Sequence, residues 1–311
     1  MRCYALLFAV VSLLLPGAVF AQTRTPEAAL NHFNNAVKKT GNGDLDGAIE
    51  DYTRAIRLSS RLNARTSSDS ISGNSPAAAE DIKVIDPFTA NAYTNRGLAR
   101  YQKGDYTGAI EDFDEALRIR PGLAGAYLNR AAAFRASGDF PAALKDLNRA
   151  ISIKKDFFEA YTNRGSLQLD LGNAQAALSD LSRSIKINDR VPESFYHRGF
   201  VHLSMQNISG ALSDFDRAIR LAPDLAWAYQ GRGTALMQNG QMPEAISDFT
   251  RALELEPGMA WAYFNRGLAK VYLGQESEAQ KDFDECLRLK PKLKTELDEK
   301  IELARRLRAG K

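Results

Sequence analysis

The amino-acid sequence predicts an all-α fold, an α-solenoid wound as a right-handed superhelix of seven helix–turn–helix repeats and closed by a C-terminal capping helix. Three observations lead to this prediction. Aromatic residues recur every 34 residues, apolar residues within each copy keep the spacing of one helix face, and glycine or proline separates the helices. Of the 311 residues, 44% are hydrophobic and 25% are charged, which is ordinary for a chain with a sizeable buried core.

The first 21 residues are predicted to be a cleaved secretory signal. Arg2 supplies a positive start, an apolar run extends from Tyr4 to Leu15, and Ala21 marks the natural cleavage site. The run is shorter than the roughly 20 apolar residues of a membrane span, although an uncleaved anchor or a misassigned start is the alternative. We therefore expect an exported protein that starts at Gln22, periplasmic in a Gram-negative source and secreted otherwise.

Residue columns that recur every 34 residues define six of the repeats. The aromatic column comprises Tyr93, Tyr127, Tyr161, Phe195, Tyr229 and Tyr263. The arginine column comprises Arg96, Arg130, Arg164, Arg198, Arg232 and Arg266. The aspartate column comprises Asp112, Asp146, Asp180, Asp214, Asp248 and Asp282. Six copies in one unbroken register exclude coincidence.

A seventh copy lies upstream of these six. Ala48–Tyr52 matches Ala109–Phe113 at an offset of 61 residues, which is one period plus 27 extra residues. We interpret the extra residues, rich in Ser, Asn and Ala, as a flexible insertion at 60–86 with a helical turn near 77–82. The predicted repeats are 31–59, 90–123, 124–157, 158–191, 192–225, 226–259 and 260–292, between an N-terminal helix extension at 22–30 and a capping helix at 293–308.

Each copy is predicted to form two helices joined by a turn. In the second repeat, Ala92–Gln102 forms the first helix, Gly104 and Asp105 end it, and Gly108–Ile119 carries apolar residues on one helix face. Pro121 ends the second helix. The same role is expected of Pro87, Pro223, Pro257 and Pro291. Because one hairpin cannot bury its apolar face alone, the copies are expected to stack.

The small, aromatic and proline positions of the second repeat form a family pattern. They are Gly97, Gly104, Asp105, Tyr106, Ala109, Phe113, Ala116 and Pro121. With the 34-residue period, this pattern resembles the tetratricopeptide repeat family, in an exported bacterial type with Asn-Arg-Gly repeats. The resemblance covers about residues 31–291 and implies a non-enzymatic scaffold for a protein or peptide, with no cofactor. It does not identify the ligand.

No catalytic or metal site is predicted. His32 occupies the aromatic column and is interpreted as a packing residue. His197 and His202 are five residues apart, so they point about 140 degrees apart on a helix and not together as metal ligands would. Cys286 stands in an alanine column and is interpreted as a small buried side chain. Once Cys3 leaves with the signal, Cys286 has no partner for an internal disulfide.

The arginine and aspartate columns are predicted to pair with each other. A catalytic site needs to exist only once, whereas these charges recur in every complete copy. We expect each first-helix arginine to form an ion pair with a second-helix aspartate of its own repeat or a neighbour, and ligand contact by some arginines is the alternative. The first repeat has Asn35 in place of the arginine, so Asp51 needs other partners.

A column beside the arginines is predicted to line the concave face. It comprises Asn34, Asn95, Asn129, Asn163, His197, Gly231 and Asn265. An asparagine amide can pair with a peptide unit whatever the ligand's side chains are, which makes Asn95, Asn129, Asn163 and Asn265 candidate peptide contacts. The ladder resembles the peptide-holding groove of the O-linked N-acetylglucosamine transferases, which implies binding of an extended chain. Simple helix packing is the alternative, and His197 and Gly231 interrupt the ladder.

Large aromatic residues gather in repeats five to seven. Trp227 and Trp261, the only tryptophans, share a column, and Tyr196, Phe200 and Phe264 lie in neighbouring columns. We predict that they form an apolar contact surface for the ligand. The alternative is that both indoles pack on the turns between repeats.

Both ends of the array are predicted to be capped. Thr25, Pro26 and Glu27 form a helix start with a hydroxyl cap, a first-turn proline and an acid. At the other end, the residues predicted to face the last hairpin are Leu293, Leu297, Ile301 and Ala304. A basic membrane contact is the alternative for Arg305, Arg306, Arg308 and Lys311.

Charge and composition narrow the class of partner. A net charge of +3 is far from the clustered basicity of a nucleic-acid binder, so no nucleic acid is expected. No stable membrane span is expected either. A self-associating protein, whose concave or aromatic surface is buried by another copy, is the alternative to a scaffold.

Overall fold

The computed structural model describes residues 26–71 and 87–309, which contain fifteen α-helices and no β-strand. The helices are α1 (Glu27–Gly41), α2 (Leu45–Ile71), α3 (Pro87–Gln102), α4 (Tyr106–Ile119), α5 (Ala124–Ser137), α6 (Phe140–Ile153), α7 (Phe158–Asp170), α8 (Ala174–Ile187), α9 (Pro192–Ser204), α10 (Ile208–Leu221), α11 (Ala226–Gln238), α12 (Met242–Leu255), α13 (Ala260–Tyr272), α14 (Glu276–Leu289) and α15 (Lys294–Ala309). They follow one another as helix–turn–helix pairs, which confirms the predicted all-α fold class. The predicted signal at 1–21 lies outside the described residues.

The helices divide into two units, one ending at Leu167 and the other beginning at Gln168. In the first unit the hairpins α1–α2, α3–α4 and α5–α6 close on themselves, and α2 packs on α3 and α4 on α5. In the second unit α9–α10, α11–α12 and α13–α14 are the hairpins, and α10 packs on α11 and α12 on α13. Each unit therefore stacks its hairpins in chain order, as the repeat pattern requires.

Turn chemistry explains where the helices begin and end. Asp105 and Asp139 accept hydrogen bonds from backbone N–H groups of the first turn that follows, at 2.9 and 3.0 Å. Gly104 and Gly138 precede them with φ of +83° and +89°, a conformation that glycine adopts without a steric penalty. The glycine thus ends one helix and the aspartate begins the next, and in the fifth repeat Gln206, with φ of +59°, and Asn207 occupy the same two positions.

The two helices of a hairpin approach each other where a glycine meets a phenylalanine ring. A Cβ atom placed on Gly97 would lie 2.8 Å from Phe113, and one placed on Gly267 would lie 2.3 Å from Phe283. Real Cβ atoms do not approach a ring so closely. The glycine is therefore required by packing between helices and not by a turn.

We expect Gly267→Ala to lower the free energy of unfolding by about 1–2 kcal/mol. Overpacking a core typically costs about 1–3 kcal/mol, and the better helix propensity of alanine offsets up to about 1 kcal/mol of this. Urea denaturation followed by circular dichroism measures the change. Gly258→Ala is the matched control, because a Cβ there meets nothing within 4 Å. A Gly267→Ala protein as stable as the control would contradict the packing argument.

The predicted insertion begins later than expected. Helix α2 does not end near residue 59 but continues to Ile71, so residues 60–71 are helical and not a loop. Extension is physically easy here, because adding a residue to an existing helix costs far less than starting one and neither glycine nor proline occurs before Gly73. The rest of the predicted insertion, 72–86 with its helical turn, lies outside the described residues.

Two prolines occupy positions relative to the helices other than those predicted. Pro87 begins α3 instead of ending the preceding helix, and the first position of a helix tolerates proline because its N–H would be unpaired anyway. Pro26 occupies the position before α1 and not the first helical position. Thr25, the predicted hydroxyl cap, lies outside the described residues. The predicted extension at 22–30 is in part the first turn of α1.

The C-terminal helix α15 covers the last repeat. Leu293, Leu297 and Ala304 are buried, and they belong to the hydrophobic cluster of α13 and α14 that contains Phe264 and Phe283. Helix α15 packs directly on α13. The predicted capping role is therefore confirmed.

Two of the basic residues considered for a membrane contact are engaged within the protein. Arg305 and Arg308 both pair with Glu276, at 2.7 and 2.9 Å. Arg308 also donates to the carbonyl oxygen of Val271 at 2.8 Å, near the C-terminal end of α13. Hydrogen bonding by Arg305 to the charged form holds the pKa of Glu276 below its usual value. These two arginines tie the cap to the last repeat.

Candidate polypeptide-binding surface

An arginine of the first helix binds an aspartate of the second helix in five repeats. In each pair Nε and Nη2 donate to both carboxylate oxygens, at 2.6–3.0 Å, and the two residues are 16 apart. The pairs are Arg96–Asp112, Arg130–Asp146, Arg198–Asp214, Arg232–Asp248 and Arg266–Asp282. The predicted charge ladder is confirmed at these five positions, and each pair joins the helices of one hairpin.

The remaining guanidinium nitrogen, Nη1, reaches the preceding repeat. It donates at 2.5–3.4 Å to an oxygen that lies two residues after the aspartate position of that repeat. These acceptors are Thr53, Asp114, Asn148, Ser182, Asp216 and Thr250. The arginine thus links its own hairpin to the one before. Sequence reasoning missed this column, although an oxygen-bearing side chain at every position was its signal.

Each arginine also lies over the aromatic ring three residues before it. The guanidinium carbon is 5.3–5.7 Å from the ring centroid in all six repeats of the arginine column. The aromatic column therefore supports the arginine–aspartate pairs. These contacts assign the arginine column to hairpin assembly, in agreement with the prediction that the arginines pair with aspartates.

The first repeat replaces the missing arginine with two other groups. Asp51 accepts from His32 Nδ1 at 2.9 Å and from Lys39 Nζ at 2.7 Å. Burial of the carboxyl favours its neutral form, but the bonds from Lys39 and His32 outweigh burial, and the pKa of Asp51 lies below its usual value. His32 therefore has a polar role beyond the predicted packing role, because its ring is one of the two partners that Asp51 needed.

The asparagine column lies deeper in the protein than an open groove would place it. In the first unit Asn95, Asn129 and Asn163 are 2%, 1% and 3% exposed. The Asn95 amide interacts with the Tyr52 hydroxyl, whereas Nδ2 of Asn163 has no hydrogen-bond partner in the part of the chain that the structure describes. Asn265, in the second unit, is half-buried. Buried amides without partners are rare in native proteins and call for a ligand or water.

A packed aromatic cluster explains why Gly231 interrupts the asparagine column. Tyr196 and Phe200 lie edge-on to each other at 5.1 Å, and both pack on Phe215, at 6.4 and 5.1 Å. A Cβ atom on Gly231 would lie 2.4 Å from the Phe215 ring. Phe215 therefore leaves room only for glycine where other repeats carry asparagine.

The two tryptophans are half-buried, and each is partly packed. The ring of Trp261 lies 5.0 Å from that of Phe264, which is buried, and Lys290 Nζ is 6.0 Å from the indole. Trp227 packs against two clusters, one containing Phe215 and one containing Met259 of the turn before α13. Each indole therefore has a packed portion and an exposed portion, and contact of the exposed portion with a ligand stays a prediction.

Four sequence models of the tetratricopeptide repeat match this chain, at residues 88–156, 128–194, 226–259 and 262–293. Together they cover more than half of it. The chain belongs to the tetratricopeptide repeat (TPR) family. The predicted resemblance is thereby confirmed for the repeats themselves.

Individual relatives agree with this assignment. The heat-shock protein cognate (HSC) co-chaperone sgt12 of Aspergillus fumigatus is 30% identical over 120 residues, 33% of this chain and 35% of that protein. This chain therefore matches only about a third of the relative's length. A TPR protein from Parabacteroides merdae has a TM-score of 0.64 at 20% identity, over 90% of this chain and 99% of that chain. PilF of Pseudomonas aeruginosa has a TM-score of 0.58 at 18% identity, over 65% of this chain and 92% of that chain. These two structural matches show the fold alone.

TPR proteins are generally non-enzymatic scaffolds that bind protein or peptide partners. In residues 26–71 and 87–309, no cluster of three or more His, Cys, Asp or Glu side chains could hold a metal ion. Burial raises the pKa of the Cys286 thiol to about 11, so it remains protonated and unreactive at neutral pH. Over the same ranges no helix is long and apolar enough to cross a membrane.

Proposed function

We propose that this TPR protein is exported to the cell envelope, where it holds a segment of another protein against the first helices of its repeats. The observation that carries the proposal is the pair of half-buried tryptophans in one column of consecutive repeats, beside the buried ring of Phe264. Aromatic residues of this kind, partly packed and partly exposed, dominate the energetics of protein interfaces. The binding surface comprises the half-buried Trp227, Trp261 and Asn265, and the buried rings of Tyr196, Phe200 and Phe264 belong to the clusters on which the two indoles pack.

The first unit contributes a second set of contacts in this proposal. Asn95, Asn129 and Asn163 form its asparagine column, and Nδ2 of Asn163, which has no partner among the described residues, supports a role in binding a main-chain carbonyl group. A ligand that pairs with this atom would remove a penalty of about 1–3 kcal/mol for an unsatisfied buried group.

The proposal is tested by titrating the purified mature chain into labelled peptides that are apolar, acidic or basic. We expect apolar peptides to bind and to change the tryptophan emission, because both tryptophans belong to the proposed surface. Binding of none of the peptides, or equal binding of all three without a change in emission, would contradict the proposal.

Self-association is the alternative function. Leu303 and Leu307 on α15 are 47% and 51% exposed and lie one helical turn apart, which is the observation that favours it. Sedimentation equilibrium separates the two functions. A monomer supports the scaffold, whereas a dimer that dissociates when both leucines are replaced by serine supports self-association.

Export of the protein can be tested separately from peptide binding. We expect protein purified from the source cell to begin at Gln22 and to lie outside the cytoplasm, because cleavage after Ala21 removes the signal. N-terminal sequencing of protein from separated cell fractions measures both properties. A mature chain that retains Met1 in the cytoplasm would refute export without affecting the binding proposal.

A further inference from the structure

Ion pairs lie on the exposed faces of three second helices. Two residue columns, three residues apart, carry opposite charges in the second, sixth and seventh repeats, and their side chains bind each other at 2.8–2.9 Å. The pairs are Glu115–Arg118, Arg251–Glu254 and Glu285–Arg288. Each of these arginines therefore has an acid on its own helix.

The same two columns carry only cations in the fourth and fifth repeats. They hold Arg183 and Lys186 on α8, and Arg217 and Arg220 on α10, and the basic surface comprises these four side chains. Arg183, Lys186 and Arg220 are exposed and have no ion pair among the described residues. Because like charges three residues apart weaken a helix, this arrangement does not serve folding.

Helices α8 and α10 lie side by side, so the four cations share one surface. Arg198 bridges the two helices, because it donates to Asp214 of α10 at 2.7 and 2.8 Å and to Ser182 of α8 at 3.4 Å. Arg217 of α10 donates to the carbonyl oxygen of Asp189, in the turn that follows α8, at 3.4 Å. The Asp189 carboxylate is 4.0 Å from Arg217 and largely exposed, so it offsets one of the four charges at most.

The acids of α8 and α10 are engaged elsewhere. They are Asp180, Asp214 and Asp216. Asp180 and Asp214 are buried members of the aspartate column, and Asp216 binds Arg232 at 2.8 Å. A partner that complements the basic surface is therefore an anion.

We propose that the basic surface binds an acidic segment of a partner protein. Three of its four cations are arginines, whose planar guanidinium groups bind carboxylates through two parallel hydrogen bonds. A lipid surface fits less well, because membrane-surface helices combine cations with exposed apolar residues, and among the described residues the exposed large apolar side chains lie outside α8 and α10. This inference goes beyond the proposed function, since the surface belongs to second helices and not to first helices.

The test measures binding of a labelled synthetic peptide of alternating glutamate and serine to the purified mature chain. About twelve residues extend about 40 Å, which exceeds the width of two neighbouring helices of about 10–12 Å each. We expect this acidic peptide to bind more tightly than a lysine–serine peptide, with an affinity that falls as the salt concentration rises. An excess of unlabelled apolar peptide should not displace it, so this inference and the proposed function can fail independently. Failure of the acidic peptide to bind, equal affinity for the basic peptide, or displacement by the apolar peptide would each overturn the inference.

A triple variant identifies the surface. Combining Arg183→Gln, Lys186→Gln and Arg220→Gln should weaken the acidic peptide by about tenfold, because each exposed ion pair contributes about two- to threefold. The variant should melt at or above the wild-type temperature, since it removes repulsion between like charges. Unchanged affinity for the acidic peptide would contradict the assignment of the surface.

The matched control removes the same number of cations from the same two columns in other repeats. It combines Arg118→Gln, Arg251→Gln and Arg288→Gln, and it should leave the affinity for the acidic peptide nearly unchanged. Equal losses in the two triple variants would show that overall charge attracts the peptide and would overturn the inference. Vesicles that contain an anionic phospholipid provide a second comparison. Binding to these vesicles without binding to the acidic peptide would assign the basic surface to a membrane and would also overturn the inference.

Discussion

Arg130→Leu should lower the free energy of unfolding by about 3 kcal/mol, because it leaves the buried carboxylate of Asp146 without a cation. Arg130 is the partner that donates to both carboxylate oxygens of Asp146, and it also binds Asp114 of the preceding repeat. Removing it therefore disrupts one hairpin and the contact between two hairpins. Urea denaturation followed by circular dichroism measures the loss.

The preceding repeat offers a matched control. Asp112 is bound by Arg96 and also has Arg100 Nη1 at 3.2 Å from its Oδ2 atom, so a cation remains after Arg96→Leu. We expect Arg96→Leu to be clearly milder than Arg130→Leu, and the double variant with Arg100→Leu to restore the larger loss. Equal effects of the two single variants would show that the ladder does not act through neutralisation of the buried aspartate.

The pH dependence of the Arg130→Leu variant follows from the same argument. In the wild-type protein, burial already holds the pKa of Asp146 above its usual value, against the opposing bonds from Arg130. Without Arg130 the folded-state pKa rises further, and a raised carboxyl pKa destabilises the folded state only while the group is charged. The stability difference from wild type should therefore narrow as the pH falls through the raised pKa.

Replacing Trp227 and Trp261 together by alanine should weaken binding of the apolar peptide by at least about tenfold. Aromatic side chains bury large areas and lose little conformational entropy, and truncating a true interface anchor typically costs about 2 kcal/mol. Because both indoles are only half-buried, we expect helical content and melting temperature to change little. Fluorescence anisotropy of a labelled peptide and circular dichroism measure the two properties.

A variant elsewhere on the surface serves as a control for the double tryptophan variant. It shows whether the loss of exposed apolar side chains at any position weakens binding. Replacing Leu303 and Leu307 of α15 by alanine removes exposed apolar side chains and should leave peptide binding unchanged. If the double tryptophan variant unfolds, the indoles belong to the core. If it binds as before, the site must be sought along Asn95, Asn129 and Asn163.

The repeat architecture could be predicted from the sequence because its signals are local and repeated. The 34-residue period, the helix-face spacing and the polar turn residues each specify the same hairpins. The pairing of arginine and aspartate was also predictable, since buried charges require partners. The second acceptor of each arginine was not foreseen, because it belongs to the preceding repeat and no single copy contains the whole contact.

Features that depend on packing between helices could not be predicted. Gly231 was recognised as an interruption of the ladder, but only the position of the Phe215 ring explains it. The extension of α2 to Ile71 was missed because serine and asparagine are typical of loops, although they propagate an existing helix. The burial of Asn95 and Gln230 depends on side-chain conformations, which a residue column does not specify.

Site-specific photocrosslinking in the source cell tests the central claim most directly. A photoreactive phenylalanine analogue replaces Trp261, which is half-buried on the proposed surface, or, as a control, Glu254, which is exposed on the second helix of the preceding repeat. We expect the analogue at position 261, but not at position 254, to form a covalent adduct with an apolar segment of a different protein, mapped by mass spectrometry. Adducts with a second copy of this chain, or equal adducts at both positions, would contradict the scaffold function.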